Sequence, residues 1–171
     1  MLNIKDTIMQ KLRETEECYQ VKIVLAIESG SRGWGLAAND ADYDCRFVYV
    51  HSRDWYLSVM DNADYIECAS DTVFDINGWD LKKFLKHIMK SNVVTSEWLS
   101  SNEVYIKDEA IVKLLQGLAA KFFNPIAERR LTFIQTCHAP YAAVNYGCRH
   151  ITRQWHNNQK NARTFTSNGY T

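Results

Sequence analysis

The segment that decides the fold spans Glu28–Val50 and reads ESGSRGWGLAANDADYDCRFVYV. It follows a short apolar run, Val21–Ile27, which has the length and the β-branched content of a buried strand. Within the segment, three closely spaced glycines favour a turn. Polar and apolar residues then alternate over Tyr43–Val50, which predicts a second strand. The segment is therefore predicted to form a strand end, a glycine-rich turn and a strand.

The glycine-rich turn has the residues needed to bind an anion. Gly30, Gly33 and Gly35 allow backbone N–H groups to approach a phosphate, and a short helix starting at Ser31 would add a favourable dipole. The Ser31 hydroxyl can donate to a phosphate oxygen, and Arg32 can supply positive charge. The turn matches neither the P-loop pattern nor the G-x-G-x-x-G dinucleotide pattern. On these residues alone, an ordinary tight turn is an equal alternative.

Two aspartates open the second strand. Asp42 and Asp44 are two residues apart, so the period of a strand places their carboxylates on one face. A bound cation relieves the repulsion between two such carboxylates, and hard oxygen ligands suit Mg²⁺. Two such ions can activate an attacking oxygen and stabilise a leaving phosphate oxygen. A solvated loop and an ion pair with Arg46, on the same face, are the alternatives.

The rest of the chain predicts a mixture of helices and strands. Helices are expected at 4–17, 81–89, 94–99 and 110–123, and extended segments at 72–76 and 104–106. Segments 53–59 and 64–68 fit either two short strands or a strand and a turn. Asn77-Gly78 is expected to end the 72–76 strand. The last helix is expected to bury Ile111, Leu114, Leu115 and Leu118. The fold class is therefore α+β.

Composition predicts one domain. The chain has 171 residues, of which 46% are hydrophobic and 23% are charged, as in globular proteins. It has neither a secretion signal at its start nor an apolar run of about 18 or more residues, so we expect a cytoplasmic protein. Its five cysteines are odd in number and form no C-x-x-C pair, which predicts reduced thiols rather than disulfides or a zinc site.

The charge is distributed unevenly along the chain. Residues 1–128 hold all 20 acidic groups and 14 of the basic ones, a net charge of −6, and the remainder carries +6. An acidic body can be neutralised by cations, and a basic end can meet a polyanion such as RNA. Arginines interleave with aromatic residues in that end: Arg149, Arg153, Arg163, Tyr146, Trp155 and Phe165. This pattern fits an RNA-binding extension, but a truncated or unrelated tail fits it as well.

The order of the motifs resembles a known superfamily. Gly30-Ser31 followed by Asp42-Tyr43-Asp44 is similar to the signature of the DNA polymerase β-like nucleotidyltransferases, in which a strand, a Gly-Ser turn and a helix precede an Asp-x-Asp strand. Segments 28–35, 40–47 and 75–83 resemble the branch of predicted nucleotidyltransferases associated with RNA repair, as do 91–92 and 97–101. The similarity covers about residues 20–123. The helical motifs with which relatives continue are not found after Phe123.

The resemblance implies both a fold and a domain division. It implies a polymerase β palm-like nucleotidyltransferase fold, with a small mixed β-sheet and flanking helices over residues 1–123. Residues 124–171 are then a basic C-terminal extension, helical or partly flexible, and either truncated relative to the family or unrelated to it.

The resemblance also implies an activity. The family moves a nucleoside monophosphate from a nucleoside triphosphate to a hydroxyl of an RNA end, a protein or a small molecule, and releases pyrophosphate. By analogy, Asp42, Asp44 and a third carboxylate on a neighbouring strand, for which Asp75 is the candidate, bind two Mg²⁺ ions. Gly30 and Ser31 hold the β- and γ-phosphates, and Arg32 contacts phosphate.

Several of these assignments have alternatives. Asp75 also fits a helix N-cap or a structural acid, and Asp80 is its rival. Arg32 fits an ion pair with Asp40 or Glu28 equally well. Trp34 and Trp79 fit core packing as well as base stacking, whereas Lys82 and Lys83 fit a solvated face and His87 a structural role.

Two other functions fit the same residues. A catalytically silent nucleotide-binding or antitoxin-like regulatory module predicts that Asp75 lies far from Asp42 and Asp44. A nuclease explains the acidic cluster but gives the Gly-Ser turn no role.

Overall fold

The computed structural model describes residues 3–33, 35, 41–60, 62–70 and 73–124. In this part of the chain, helices and strands follow in the order α1 (Ile4–Tyr19), β1 (Lys22–Glu28), α2 (Gly30–Gly33), β2 (Tyr43–Val50), α3 (Arg53–Leu57), β3 (Tyr65–Ser70), β4 (Phe74–Asp80), α4 (Leu81–Met89), α5 (Val93–Ser100), β5 (Val104–Lys107) and α6 (Glu109–Phe122). None of the described helices has both the length and the apolar character needed to cross a membrane. The predicted extension lies, apart from Asn124, outside the described residues.

The strands form one mixed sheet in the order β3-β4-β2-β1-β5. β2 and β4 are parallel, and the other neighbouring strands are antiparallel. On one face, α1 packs against the sheet through Ile8 and Leu12. On the other face, α4, α5 and α6 cover Val48 and its neighbours. The sheet with its flanking helices confirms the predicted class.

Helix α1 has sequence signals at both ends. The Asn3 side chain accepts a hydrogen bond from the Lys5 N–H at its start, and Gln20 ends it in the left-handed conformation with φ of 52°. Between them, the apolar spacing places Ile8 and Leu12 in the core. The predicted helix at 4–17 is therefore confirmed, with two further residues at its end.

Strand β4 is longer than the sequence predicts. The expectation that Asn77-Gly78 would end the strand is wrong, because the strand continues to Asp80. Gly78 pairs with Phe47 on β2, and a Cβ at position 78 would lie 2.2 Å from the Phe47 ring. The glycine is there to make room for a core aromatic ring, rather than to form a turn.

Segment 53–59 contains a helix, so the expected strand or turn is wrong. α3 is held by its aromatic residues: Trp55 stacks on His51 with 3.8 Å between ring centroids, and the Tyr56 hydroxyl donates to Asp80 at 2.6 Å. The stack is local, whereas the Tyr56–Asp80 hydrogen bond spans 24 positions and cannot be read from the local sequence. The alternative strand at 64–68 is confirmed as β3.

Helix α6 buries a different face from the predicted one. Val112 and Leu115 are buried, whereas Leu114 is 69% exposed and Leu118 is 37% exposed. The Asp108 side chain caps the helix by accepting the Ile111 N–H. The predicted inward position is correct for Leu115 and for Ile111, which is partly buried against the core, and wrong for Leu114 and Leu118.

Candidate active site

The candidate site lies at the edge of the sheet where β1 ends and where the parallel strands β2 and β4 begin. Between β1 and β2, the chain forms the four-residue helix α2, which begins at Gly30, one residue before the predicted start at Ser31. Gly30 has φ of +60°, and a Cβ on it would lie 2.0 Å from Asp44 Oδ2. Only glycine meets both demands, so the turn sits directly against a carboxylate of β2.

Two of the three predicted carboxylates lie side by side. Asp44 and Asp75 are register partners on the parallel strands β2 and β4. They share a sheet face with Arg46, whose Nη2 donates to Asp44 Oδ1 at 3.1 Å and to Asp75 Oδ2 at 2.6 Å. The Asn77 side chain donates to the other Asp75 oxygen at 3.0 Å. We call the two register partners Asp44 and Asp75 the Asp44–Asp75 pair.

Asp42 precedes the strand that carries Asp44. It is exposed and lies just before the start of β2, close enough for its charge to act on the Asp44 carboxyl. Over the described ranges, no three His, Cys, Asp or Glu side chains are grouped so that they could hold a metal ion. The alternative ion pair with Arg46 is observed for Asp44, and the same guanidinium also binds Asp75.

The environment of Asp44 disfavours its negative charge. Burial raises the pKa of the Asp44 carboxyl, the Arg46 guanidinium lowers it, and the charges of Asp42 and Asp75 raise it further. The net pKa is higher than that of a free aspartate. Asp42, Asp44 and Asp75 are three carboxylates beside one arginine, Arg46, and this count favours an additional cation when all three are ionised.

Arg32 connects the turn to the residues just before β2. Its Nε donates to the carbonyl oxygens of Ala41 at 3.1 Å and Asp42 at 3.0 Å, and its Nη2 donates to the same Ala41 oxygen. The guanidinium carbon stacks 4.0 Å from the centroid of the Tyr43 ring. Arg32 thus joins the turn to the start of β2, and its phosphate contact stays a prediction.

Glu28 is a site residue that the sequence analysis did not single out for the cluster. It is buried at the end of β1, where Oε1 accepts the Asp44 N–H at 2.9 Å and Oε2 accepts the Tyr105 hydroxyl at 2.5 Å. Burial raises the pKa of Glu28, and these two hydrogen bonds oppose the rise. The position of Glu28 directly after an apolar run could have indicated a site residue, but the same pattern is equally typical of the solvated end of a strand.

The turn is also anchored to the helical layer. Ser29 donates its N–H to the Asp44 carbonyl oxygen at 2.8 Å and its hydroxyl to Glu97 of α5 at 2.9 Å. Beside the turn is a cavity of about 340 Å³ that is lined by Glu28, Arg32, Gly35, Tyr43, Glu103 and Tyr105. The same short segment therefore borders the carboxylates and an open space.

The alternative residues have structural roles. Asp80 lies at the opposite end of β4 from Asp75, where it caps α4 and accepts the Lys82 N–H at 2.7 Å. Trp79 packs against Trp98 with 4.8 Å between ring centroids, and His87 is hydrogen-bonded to Asn92. Trp34 lies outside the described residues.

Comparison with known proteins identifies the family. The chain is 43% identical over 124 residues to a protein of Bacillus subtilis (strain 168) described as the uncharacterized protein YcgL. The match covers 72% of this chain and 48% of the relative, so the chain spans about half of that protein's length. No solved structure matches the chain. The family model of RlaP matches residues 4–141 and agrees with the resemblance found in the sequence. The chain therefore belongs to RlaP, the RNA repair pathway DNA polymerase beta family.

Proposed function

We propose that the protein is a Mg²⁺-dependent nucleotidyltransferase that transfers a nucleoside monophosphate from a nucleoside triphosphate to a hydroxyl group. The single observation that carries the proposal is the convergence of a glycine turn with two carboxylates of parallel strands. Gly30 is in contact with Asp44, and Asp44 is the register partner of Asp75. Family membership supports the reaction class.

The carboxylates fit a divalent cation in their chemistry. Asp44 and Asp75 are hard oxygen donors that already converge on one cationic nitrogen, that of Arg46. Asp42, exposed just before the start of β2, would complete the set by a movement of its side chain. When bound, up to two Mg²⁺ ions would supply positive charge to the phosphate oxygens and the attacking oxygen.

The chain's own groups bind and orient the reactants in this proposal. The N–H groups of the turn and the exposed Ser31 hydroxyl bind the β- and γ-phosphates, and Arg32 supplies charge beside them. We assign Asp75, whose side chain is 36% exposed, to accept the proton of the acceptor hydroxyl. The acceptor oxygen then bonds to the α-phosphorus, the bond from that phosphorus to the bridging oxygen breaks, and pyrophosphate leaves.

The structure bears on the choice between the enzyme and a silent module. The silent module predicts that Asp75 lies far from the other carboxylates, whereas Asp75 and Asp44 are adjacent on neighbouring strands. This adjacency favours the enzyme. Because the family's description names an RNA repair pathway, an RNA end is the first acceptor to test, ahead of a protein or a small molecule.

A transfer assay tests the proposal. The protein is incubated with Mg²⁺, each labelled nucleoside triphosphate in turn, and RNA or protein acceptors. Transfer should be seen with the wild type and be lost in Asp44→Asn, while Asp64→Asn should keep it. Asp64 is a suitable control because it is an exposed aspartate that pairs with Lys83. A wild type that neither binds nor transfers any triphosphate would contradict the proposal.

A further inference from the structure

Arg46 occupies the position between the two carboxylates. It lies two residues after Asp44 on β2 and therefore on the same face of the sheet. Its side chain is only 18% exposed, and Nη2 contacts both Asp44 and Asp75. Its Nη1 donates to the Asp75 carbonyl oxygen at 2.8 Å and to the Cys45 carbonyl oxygen at 3.3 Å. One guanidinium thus joins two strands through carboxylates and backbone.

This arrangement solves an electrostatic problem of the metal-free protein. Asp44 and Asp75 lie side by side on neighbouring parallel strands, and the Asp44 side chain is only 22% exposed. Two partly desolvated carboxylates on neighbouring strands repel each other unless a positive charge lies between them. The guanidinium supplies that charge with charge-assisted hydrogen bonds.

We propose that Arg46 is a built-in counter-cation, which holds Asp44 and Asp75 together in the metal-free protein and is displaced from them when a divalent cation binds. The inference rests on the proposed function. A Mg²⁺ ion binds carboxylate oxygens at about 2.0–2.1 Å and requires near-ideal octahedral geometry. Arg46 Nη2 donates to both Asp44 Oδ1 and Asp75 Oδ2, so these two oxygens already converge on a cation. The guanidinium nitrogen and the metal therefore compete for one position.

Some contacts of Arg46 do not depend on the carboxylates. The backbone contacts of Nη1 do not involve the carboxylate oxygens, so they can retain the guanidinium near the strand while Nη2 turns away. The turn lies next to this point, because Gly30 contacts Asp44. The released Nη2 is then available to an anion bound at the turn. Arg46 is accordingly a positioning residue that lowers metal affinity and raises triphosphate affinity.

The opposite signs of these two effects give the test. Mn²⁺ binding is measured by electron paramagnetic resonance of the free ion, and triphosphate binding by calorimetry in Ca²⁺. In Arg46→Met, Mn²⁺ should bind about tenfold more tightly, equivalent to about 1.4 kcal/mol. The triphosphate should bind more weakly by at least a similar factor. A merely structural role would weaken the binding of both ligands.

A matched variant and a second measurement complete the experiment. Lys83→Met removes the lysine of the Lys83–Asp64 ion pair and should leave Mn²⁺ affinity within twofold of the wild type. If Arg46→Met does not fold, wild-type protein labelled with ¹⁵N-arginine is titrated with Mg²⁺, and the Arg46 guanidinium resonance, assigned with Arg46→Lys, should shift.

The outcomes separate this inference from the proposed function. Unchanged or weaker Mn²⁺ binding in Arg46→Met, or an Arg46 resonance that does not respond to Mg²⁺, overturns the inference about Arg46. If the wild type still transfers nucleotides in that case, the proposed function stands. A wild type that binds no Mn²⁺ and transfers no nucleotide overturns both.

Discussion

The buried carboxylate of Glu28 accepts the backbone N–H of Asp44 at 2.9 Å, although the two residues are 16 positions apart. The same carboxylate accepts the Tyr105 hydroxyl, so one side chain links β1, β2 and β5. Glu28 therefore fixes the backbone from which the Asp44 side chain projects. The geometry of the candidate site depends on a residue that has no predicted contact with substrate.

Replacing Glu28 by alanine should destabilise the protein substantially. The Asp44 N–H and the Tyr105 hydroxyl would both lose their acceptor in a buried place, and each such loss costs about 1–3 kcal/mol. We expect the free energy of unfolding, measured by urea denaturation, to fall by about 2–4 kcal/mol. Glu67→Ala, which changes an exposed glutamate of β3, should alter it by less than about 0.5 kcal/mol. Equal effects of the two variants would contradict the assigned role.

The pH dependence of stability should carry the signature of Glu28. Its pKa in the folded protein is raised from 4.5, chiefly by burial, so the folded state binds this proton more tightly than the unfolded state. The stabilisation from this group is fully present below the unfolded pKa and is lost as the pH rises through the folded pKa.

Comparison with Glu28→Gln isolates this effect. The wild type minus variant difference in unfolding free energy should increase as the pH is lowered from about neutral toward 4.5. Urea denaturation at several pH values measures it. A difference that stays constant, or that shrinks on acidification, would show that the folded protein does not raise the pKa of this carboxyl.

Two glycine-to-alanine substitutions should have opposite effects on stability. At Gly30, alanine meets φ of +60° and Asp44 Oδ2 at 2.0 Å, so we expect a loss of about 1–2 kcal/mol and a displaced carboxylate. At Gly117 in α6 nothing lies within 4 Å of a Cβ, and alanine should stabilise by about 0.5–1 kcal/mol. Thermal unfolding measures both, and transfer activity should fall only in Gly30→Ala. A Gly30→Ala protein with wild-type stability and activity would exclude the close approach.

Two tyrosines differ in whether their hydroxyl group makes a hydrogen bond, so their phenylalanine variants should differ in stability. Among the described residues, the buried Tyr49 hydroxyl has no hydrogen-bond partner, whereas Tyr56 donates to Asp80 at 2.6 Å. Tyr49→Phe should therefore leave the unfolding free energy unchanged or raise it by up to about 1 kcal/mol, and Tyr56→Phe should lower it by about 1.5–3 kcal/mol. Urea denaturation of the two variants is sufficient. The reverse order would refute the assigned contacts.

Local sequence patterns correctly predicted helices and strands that bury one face and expose the other. Strand β2 has the predicted bounds, Tyr43–Val50, because its alternation follows directly from the period of a strand. The prediction was wrong where a distant side chain decides the conformation. Gly78 continues β4 because of the Phe47 ring, and the helix at 53–57 is tied to the distant Asp80 by the Tyr56 hydroxyl.

The site could be predicted only in part for the same reason. The spacing of Gly30, Asp42 and Asp44 is local and readable. That Asp75 lies beside Asp44 depends on the register of parallel strands, which was available only through the family resemblance. The two roles of Arg46, toward Asp44 and toward Asp75, and the buried position of Glu28 require the assembled sheet. Pairings between strands distant in sequence are not encoded in periodicity.

The claim that the Asp44–Asp75 pair performs nucleotidyl transfer is tested most directly by the transfer rate of Asp75→Asn. The account predicts a loss of at least about 100-fold relative to the wild type, since the substitution replaces the proposed metal-binding carboxylate by a neutral amide and removes the proposed proton acceptor. Circular dichroism and thermal unfolding confirm that the variant is folded, and Asp54→Asn, at an exposed position of α3, should retain the wild-type rate. A folded Asp75→Asn protein that transfers nucleotides within twofold of the wild-type rate would contradict the account.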